Sequence, residues 1–270
     1  LSKTPDLVRP LLKREVEALR TQADALEQKS RAIHRRAVAD QITKVLTGNK
    51  TDRAFRAALL IARLDNTEIQ VQDYLEEVDR MASEIAGRIP DQAGATGKVD
   101  AVRTYLFKDN GFHGSRSDYY NRSNSYLNEV IDDREGIPIT LSLLFMELAR
   151  RVGVEVHGLA LPGHFAACYD VDGRRTIIDP FEGGEVMNTE TADALLADAG
   201  MNEKSSEMEI ARPGEIVIRM LRNLQAIAIE EKEFHDALNY VDIIAQLNPG
   251  SAQDRLNRAL LNLQTGNPEQ

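Results

Sequence analysis

Residues 162–184 read PGHFAACYDVDGRRTIIDPFEGG, and the Asp172-Gly173 pair inside them decides the fold. Asp-Gly between two apolar, partly β-branched runs is a strong signal for a two-residue hairpin turn. The runs 164–171 and 174–179 then form antiparallel strands, with Val171 opposite Arg174 and Ala166 opposite Asp179. His164 lies two residues from Ala166 on the same face. It is therefore a diagonal cross-strand neighbour of Asp179, with Cα atoms ~7–8 Å apart. A carboxylate at that place fixes an imidazole's tautomer and raises its basicity, as general-base chemistry requires. The same pair can equally satisfy itself inside the tight corner made by Pro162 and Gly163.

Upstream of the hairpin, 154–161 is apolar enough for another strand. Before it, Pro138 opens a helix that runs to about Val152 and stops at Gly153. Leu141, Leu144, Phe145 and Leu148 form its inner face, and Leu143 and Met146 widen the stripe, so this central helix is covered on both sides. A short helix over 125–133 has Asn124 as its cap, and Gly136 ends it. The loop 109–122, DNGFHGSRSDYYNR, carries His113, Tyr119 and Tyr120 and can line a pocket. Helical spacing recurs over 51–64, 68–87 and 99–107.

Residues 5–32 are also helical in spacing, through Leu7, Leu11, Leu12, Val16, Leu19, Ala23 and Leu26. Residues 1–49 hold ten Lys/Arg against six Asp/Glu, within a chain of net charge −10. This basic stretch is expected to pack on the acidic body, although a basic amphipathic helix also suits a membrane surface or an acidic partner. Downstream, 190–199 reads as a short helix and 202–213 as a linker. Helices follow over 215–231, 234–247 and 252–264. Phe234, Ala237, Leu238 and Pro249 fit the second helix of a tetratricopeptide unit. At ~34 residues per unit, the next matching helix falls beyond Gln270. The chain also begins at Leu1 rather than Met, so continuation is expected at both ends.

The chain of 270 residues suits two domains or one large one, and 42% hydrophobic with 28% charged residues supports a real core. The acidic balance argues against nucleic acid as the main partner. No run of ~18 apolar residues encodes a membrane-spanning helix. One cysteine, Cys168, excludes an intramolecular disulfide framework and a multi-cysteine zinc site. His157 near His164 makes no zinc site without further ligands. No metal or cofactor is expected, and the compartment is open, with the cytoplasm favoured.

Longer stretches carry a family resemblance: RAALLIARLDN (56–66), QDYLEEVDRMA (72–82), NSYLNEVIDDREGIPITLSLLFMELARRVGV (124–154), LPGHFAACY (161–169) and IIDPFEGG (177–184). Over about 53–270 the sequence resembles the SirB-type family, a transglutaminase-like domain followed by tetratricopeptide repeats. The resemblance implies an α+β fold: a helical N-terminal part, a papain- or transglutaminase-like core with a small antiparallel sheet on a central helix, and C-terminal repeat helices. It divides the chain into an extension over 1–49, a core domain over 50–201 and a repeat segment over 213–270.

Active members of that superfamily place a cysteine at the start of the core helix, a histidine on one strand and an aspartate on the next. The last two fall on His164 and Asp179, but the cysteine falls on or next to Pro138, which has no nucleophile. Cys168 does not replace it, since four residues along a strand span ~13 Å. Thr140, in the first turn of the same helix, offers a hydroxyl but points ~200° away from position 138. The expected function is therefore a noncatalytic scaffold or binding module that takes a protein or peptide partner on its repeat helices. Asn124, His113 and Tyr120 are candidate binding residues. The alternative is an acyl-transfer or amide-hydrolysis enzyme with His164 as base, oriented by Asp179.

Overall fold

Asp172 and Gly173 both adopt positive φ, 51° and 74°, as a type I′ turn requires. That turn joins β4 (Ala166–Val171) to β5 (Arg174–Asp179) in the register expected from sequence: Val171 pairs with Arg174 and Ala167 with Ile178. β3 (His157–Leu159) and β6 (Glu185–Met187) complete an antiparallel sheet of order β3-β4-β5-β6. Strand alternation then divides the interior. Ala167, Tyr169 and Ile178 face the main core, whereas Ala166, Cys168 and Ile177 join a second cluster with Ala192 and Leu196. The latter two come from α7 (Thr189–Asp198).

The computed structural model describes residues 4–266. It is α+β, with the sheet packed on the central helix α6 (Pro138–Arg151). Leu141, Leu143, Leu144, Phe145 and Leu148 of α6 are all buried, as a helix covered on both sides must be. Around it stand α2 (Arg53–Ala62), α3 (Val71–Ala86), α4 (Ala95–Arg103) and α5 (Leu127–Asp133). A two-residue parallel pair, β1 (His113–Gly114) with β2 (Glu135–Gly136), fastens the polar loop beside the start of α6. α8 (Pro213–Glu230), α9 (Phe234–Leu247) and α10 (Ala252–Gln264) close the body. The outermost residues of the first and last segments, 1–3 and 267–270, lie outside the described residues.

Three expectations need correction. First, α1 (Thr4–Thr47) is one helix of 44 residues, and it does not lie on the body along its length. Residues 8–33 are exposed, and only Val38, Ala39 and Ile42 are buried. Second, Asn124 does not cap α5: the cap position is Tyr126, and Asn124 sits in a preceding 3-10 turn, Arg122–Ser125. Its amide instead donates to the Asp118 carbonyl at 2.7 Å, bracing the loop. Third, the strand over 154–161 shortens to His157–Leu159, because β4 offers it only three paired residues.

One polar hub joins segments distant in sequence. The Asp65 carboxylate accepts hydrogen bonds from the hydroxyls of Tyr126 and Tyr240, both at 2.6 Å, and from Arg35 of α1 at 2.8 Å. Arg35 also reaches Asp236 of α9 at 3.0 Å. Burial first, then the Asp65 carboxylate, together with the Tyr240 hydroxyl in the case of Tyr126, holds both tyrosines neutral well above their usual range. The unfolded chain gives up those protons first, near pH ~10, so each tyrosine contributes stability below that pH and loses it above. Asp65→Ala is expected to cost about 2–4 kcal/mol in urea denaturation by taking their shared acceptor from two tyrosine hydroxyls and leaving Arg35 with Asp236 as its one carboxylate. The wild-type denaturation midpoint should fall once pH passes ~10, and less steeply in a Tyr126→Phe, Tyr240→Phe double variant.

Candidate functional site

The hairpin register brings the two residues named from sequence together. His164 Nε2 lies 2.8 Å from Asp179 Oδ2. An ionised carboxylate only accepts, so Nε2 is the donor in this bond. Among the described residues Nδ1 has no hydrogen-bond partner. The imidazole is 17% exposed and the carboxylate 7% exposed.

Both partners are held by backbone geometry. Gly163 at φ 66° turns the chain so that the His164 amide donates to the Leu161 carbonyl at 3.1 Å. Asp179 Oδ1 accepts the amides of Phe181 and Glu182 at 3.0 and 3.3 Å. The Gly184 amide donates to the Asp179 carbonyl at 2.8 Å, and Gly183 and Gly184 take the positive φ that this bend needs. One carboxylate thus serves both the imidazole and the turn after β5.

One aromatic side chain meets the imidazole, and another packs on that one. Phe181 packs edge-on against His164 with centroids 6.4 Å apart, and Tyr119 packs on Phe181 at 6.2 Å. Arg116 stacks over Phe181 at 5.9 Å and pairs with Glu182. Gly114 allows this approach: a Cβ there would stand 2.5 Å from the Phe181 ring. The loop 109–122 therefore reaches the pair only by way of Phe181, through Tyr119, which the sequence singles out with His113 and Tyr120, and through Arg116, which it does not. His113 is exposed, and its backbone pairs with Glu135. Tyr120 is exposed and touches the cluster only through Tyr119, at 5.3 Å.

Arg219 of α8 is the residue that sequence reasoning missed. Its guanidinium donates to the Leu161 carbonyl at 3.2 Å and to the His164 carbonyl at 2.7 Å, and it stacks over Phe165 at 5.6 Å. It clamps the corner that presents His164. No carboxylate pairs with it among the described residues, and burial lowers its pKa. The signal was available: Arg219 interrupts an apolar run, IVIRML, in which a charge needs a local reason.

The nucleophile candidates lie elsewhere. Pro138 is the buried first residue of α6. The Thr140 hydroxyl is fully buried and committed: it donates to the carbonyls of Asn124 and Ile137, at 2.9 and 3.0 Å, and accepts from the Ile137 amide at 3.1 Å. It caps its own helix. Cys168 is buried opposite His157, and burial pushes its thiol up to about 11, so it is a neutral thiol at pH 7. The His157 ring lies 3.7 Å from Glu155, away from the pair. Cavities of about 660 and 680 Å³ occur in the body, and neither is lined by His164. No group of three or more metal-ligating side chains is gathered for a metal ion among the described residues. No helix among them is long and apolar enough to cross a membrane.

The class is that of a helix-backed sheet with Asp179 ending β5 and His164 in the corner two residues before β4, a strand that starts at Ala166 rather than at 164 as the sequence suggested. The model of the transglutaminase-like superfamily matches residues 72–222, and the chain belongs to that superfamily. Within it, the chain is 31% identical over 215 residues to a UPF0162 protein of Xylella fastidiosa, covering 77% of this chain and 76% of the relative. A UPF0162 protein of Pseudomonas aeruginosa is 28% identical over 217 residues, covering 80% and 79%. Human F-box only protein 21 is 25% identical over 227 residues, which are 75% of this chain but 36% of that longer protein. No solved structure matches the chain.

Asp179→Ala should destabilise the protein by about 2–3 kcal/mol in urea, more than His164→Ala at ~1 kcal/mol, because it also strands two backbone amides. Cys168 should label with an aromatic disulfide reagent only as the protein unfolds, and native-state labelling faster than unfolding would contradict its placement.

Proposed function

We propose that this transglutaminase-like protein is noncatalytic and acts as a scaffold or binding module, its His164–Asp179 pair kept to hold the site's corner together. The observation that carries this reading is Pro138. It occupies the start of the core helix, where the SirB-type resemblance aligns the nucleophilic cysteine of active relatives, and it is buried there. Two further features support it. Thr140 and Cys168, the alternative nucleophiles, are buried, and neither side chain bonds His164 among the described residues. Phe181 packs edge-on against an imidazole that outlines neither of the cavities above. On this reading the C-terminal helices act as tetratricopeptide-like units. α10 exposes Leu256, Leu260 and Leu263, an apolar strip suited to a protein or peptide partner.

A second reading rests on one observation: His164 Nδ1 has no hydrogen-bond partner among the described residues. A general base for acyl transfer or amide hydrolysis would use that atom, with Asp179 holding the ring.

The test is turnover. Purified protein is incubated with a glutamine-containing peptide and a fluorescent primary amine, and separately with peptide amide substrates. The noncatalytic reading predicts equal, background rates for wild type and His164→Ala. A wild-type rate at least tenfold above background, abolished in both His164→Ala and Asp179→Asn, would replace it with the enzyme reading.

A further inference from the structure

Between residues 12 and 33, α1 presents Leu12, Leu19, Leu26 and Ile33 at intervals of seven. They are 60, 56, 62 and 73% exposed. Val16, Ala23 and Ser30 lie four residues after the first three. Steps of three and four put all seven on one stripe, the a and d seam of a coiled coil. Leu11 lies off that seam. The body takes hold of α1 only from His34, which bonds the Arg63 carbonyl at 2.7 Å, and Arg35. A stretch of ~33 Å, at ~1.5 Å per residue, therefore stands in water with its seam uncovered. A lone helix gains little from propensity, and burial of such a seam is what stabilises it.

We infer that α1 is a dimerisation helix that pairs with α1 of a second copy of this chain as an antiparallel coiled coil. Side-chain size favours that direction. Leu12 meets Ser30 of the partner subunit, Val16 meets Leu26 of the partner subunit, and Leu19 meets Ala23 of the partner subunit. Each layer then holds one larger and one smaller residue. At the end of the seam Ile33 meets Arg9 of the partner subunit, whose aliphatic stem can cover it. A parallel pair would stack Ala23 on Ala23 of the partner subunit and Ser30 on Ser30 of the partner subunit, leaving thin layers.

Flanking charges agree. Antiparallel pairing sets Lys13 beside Glu27 of the partner subunit and Glu15 beside Lys29 of the partner subunit. The two-fold axis repeats both pairs, giving four attractive contacts against one repulsion, Arg20 with Arg20 of the partner subunit. A parallel pair gains only Glu15 with Arg20 of the partner subunit, twice. Within its own helix Glu27 also meets Arg31 at 3.4 Å, an exposed pair of little weight. The antiparallel arrangement further puts the two folded bodies at opposite ends, where they do not compete for space.

The experiment is sedimentation equilibrium on the full chain, up to ~100 μM, where even a modest Kd populates the dimer. The wild type is expected as a dimer. A Leu19→Lys, Leu26→Lys variant is expected as a monomer with unchanged urea stability of the body, since both side chains are exposed in the monomer. Glu15→Lys alone should weaken the dimer about threefold or more, and Glu15→Lys with Lys29→Glu should restore it, which only the antiparallel register allows. Oxidising a mixture of Leu19→Cys and Ala23→Cys chains should cross-link one variant to the other, with buried Cys168 inert. A monomer at all concentrations, or a dimer that survives Leu19→Lys, Leu26→Lys, overturns the proposal. Cross-linking of Leu19→Cys chains to themselves overturns the antiparallel arrangement. Binding of a monomeric chain to anionic lipid vesicles through α1 would assign the seam to a membrane instead.

Discussion

The two-residue turn at Asp172-Gly173 is the constraint on which the rest of this architecture depends. A strand's side chains alternate, so a slip of one residue between β4 and β5 would exchange the two interior faces. Ala167 and Tyr169 would leave the surface of α6, and Cys168 would leave the α7 cluster. The slip would also part His164 from Asp179. Both turn residues have positive φ, a conformation that glycine adopts freely and aspartate tolerates better than most residues. The local chemistry of two residues thus sets the core and the His164–Asp179 pair beside the sheet.

The hairpin was legible because its information is local. Asp-Gly names the turn type, the turn type sets the register, and the register predicts the pair. α6 was legible for a similar reason: Pro138 and Gly153 mark its ends and its apolar faces exceed one stripe. The boundaries of α9 and α10 also agree with the helical spacing. Thr140 was read only as a hydroxyl near the helix start. Its burial and its bonds to Asn124 and Ile137 come from the way the preceding 3-10 turn folds back onto α6.

The misses are all tertiary. The charge of Arg219 inside an apolar run says that it needs a partner, but only the packing of α8 on the Pro162-Gly163 corner shows that the partners are the Leu161 and His164 carbonyls. Phe181 and Tyr119 lie 62 positions apart, and only the approach permitted at Gly114 seats one on the other. Asn124 looked like a cap because its residue type suits one, yet the chain spends its amide on Asp118. The exposed course of α1 was missed because net charge suggested attraction to the body. Charge balance speaks to steering and solubility far more than to where an element packs.

The pair is chemically equipped to hold a proton and sterically equipped to hold a corner. Asp179 spends one oxygen on two backbone amides and the other on the imidazole, so removing either partner disturbs the same bend. The central claim is that this coupling is structural. It is tested most directly by a double-mutant cycle in urea, using His164→Ala, Asp179→Ala and the double variant. The account predicts a coupling energy of about 0.5–1 kcal/mol between the two sites, most of the cost of His164→Ala, with no turnover in any of the four proteins. Additive effects, with a coupling below ~0.3 kcal/mol, would contradict it.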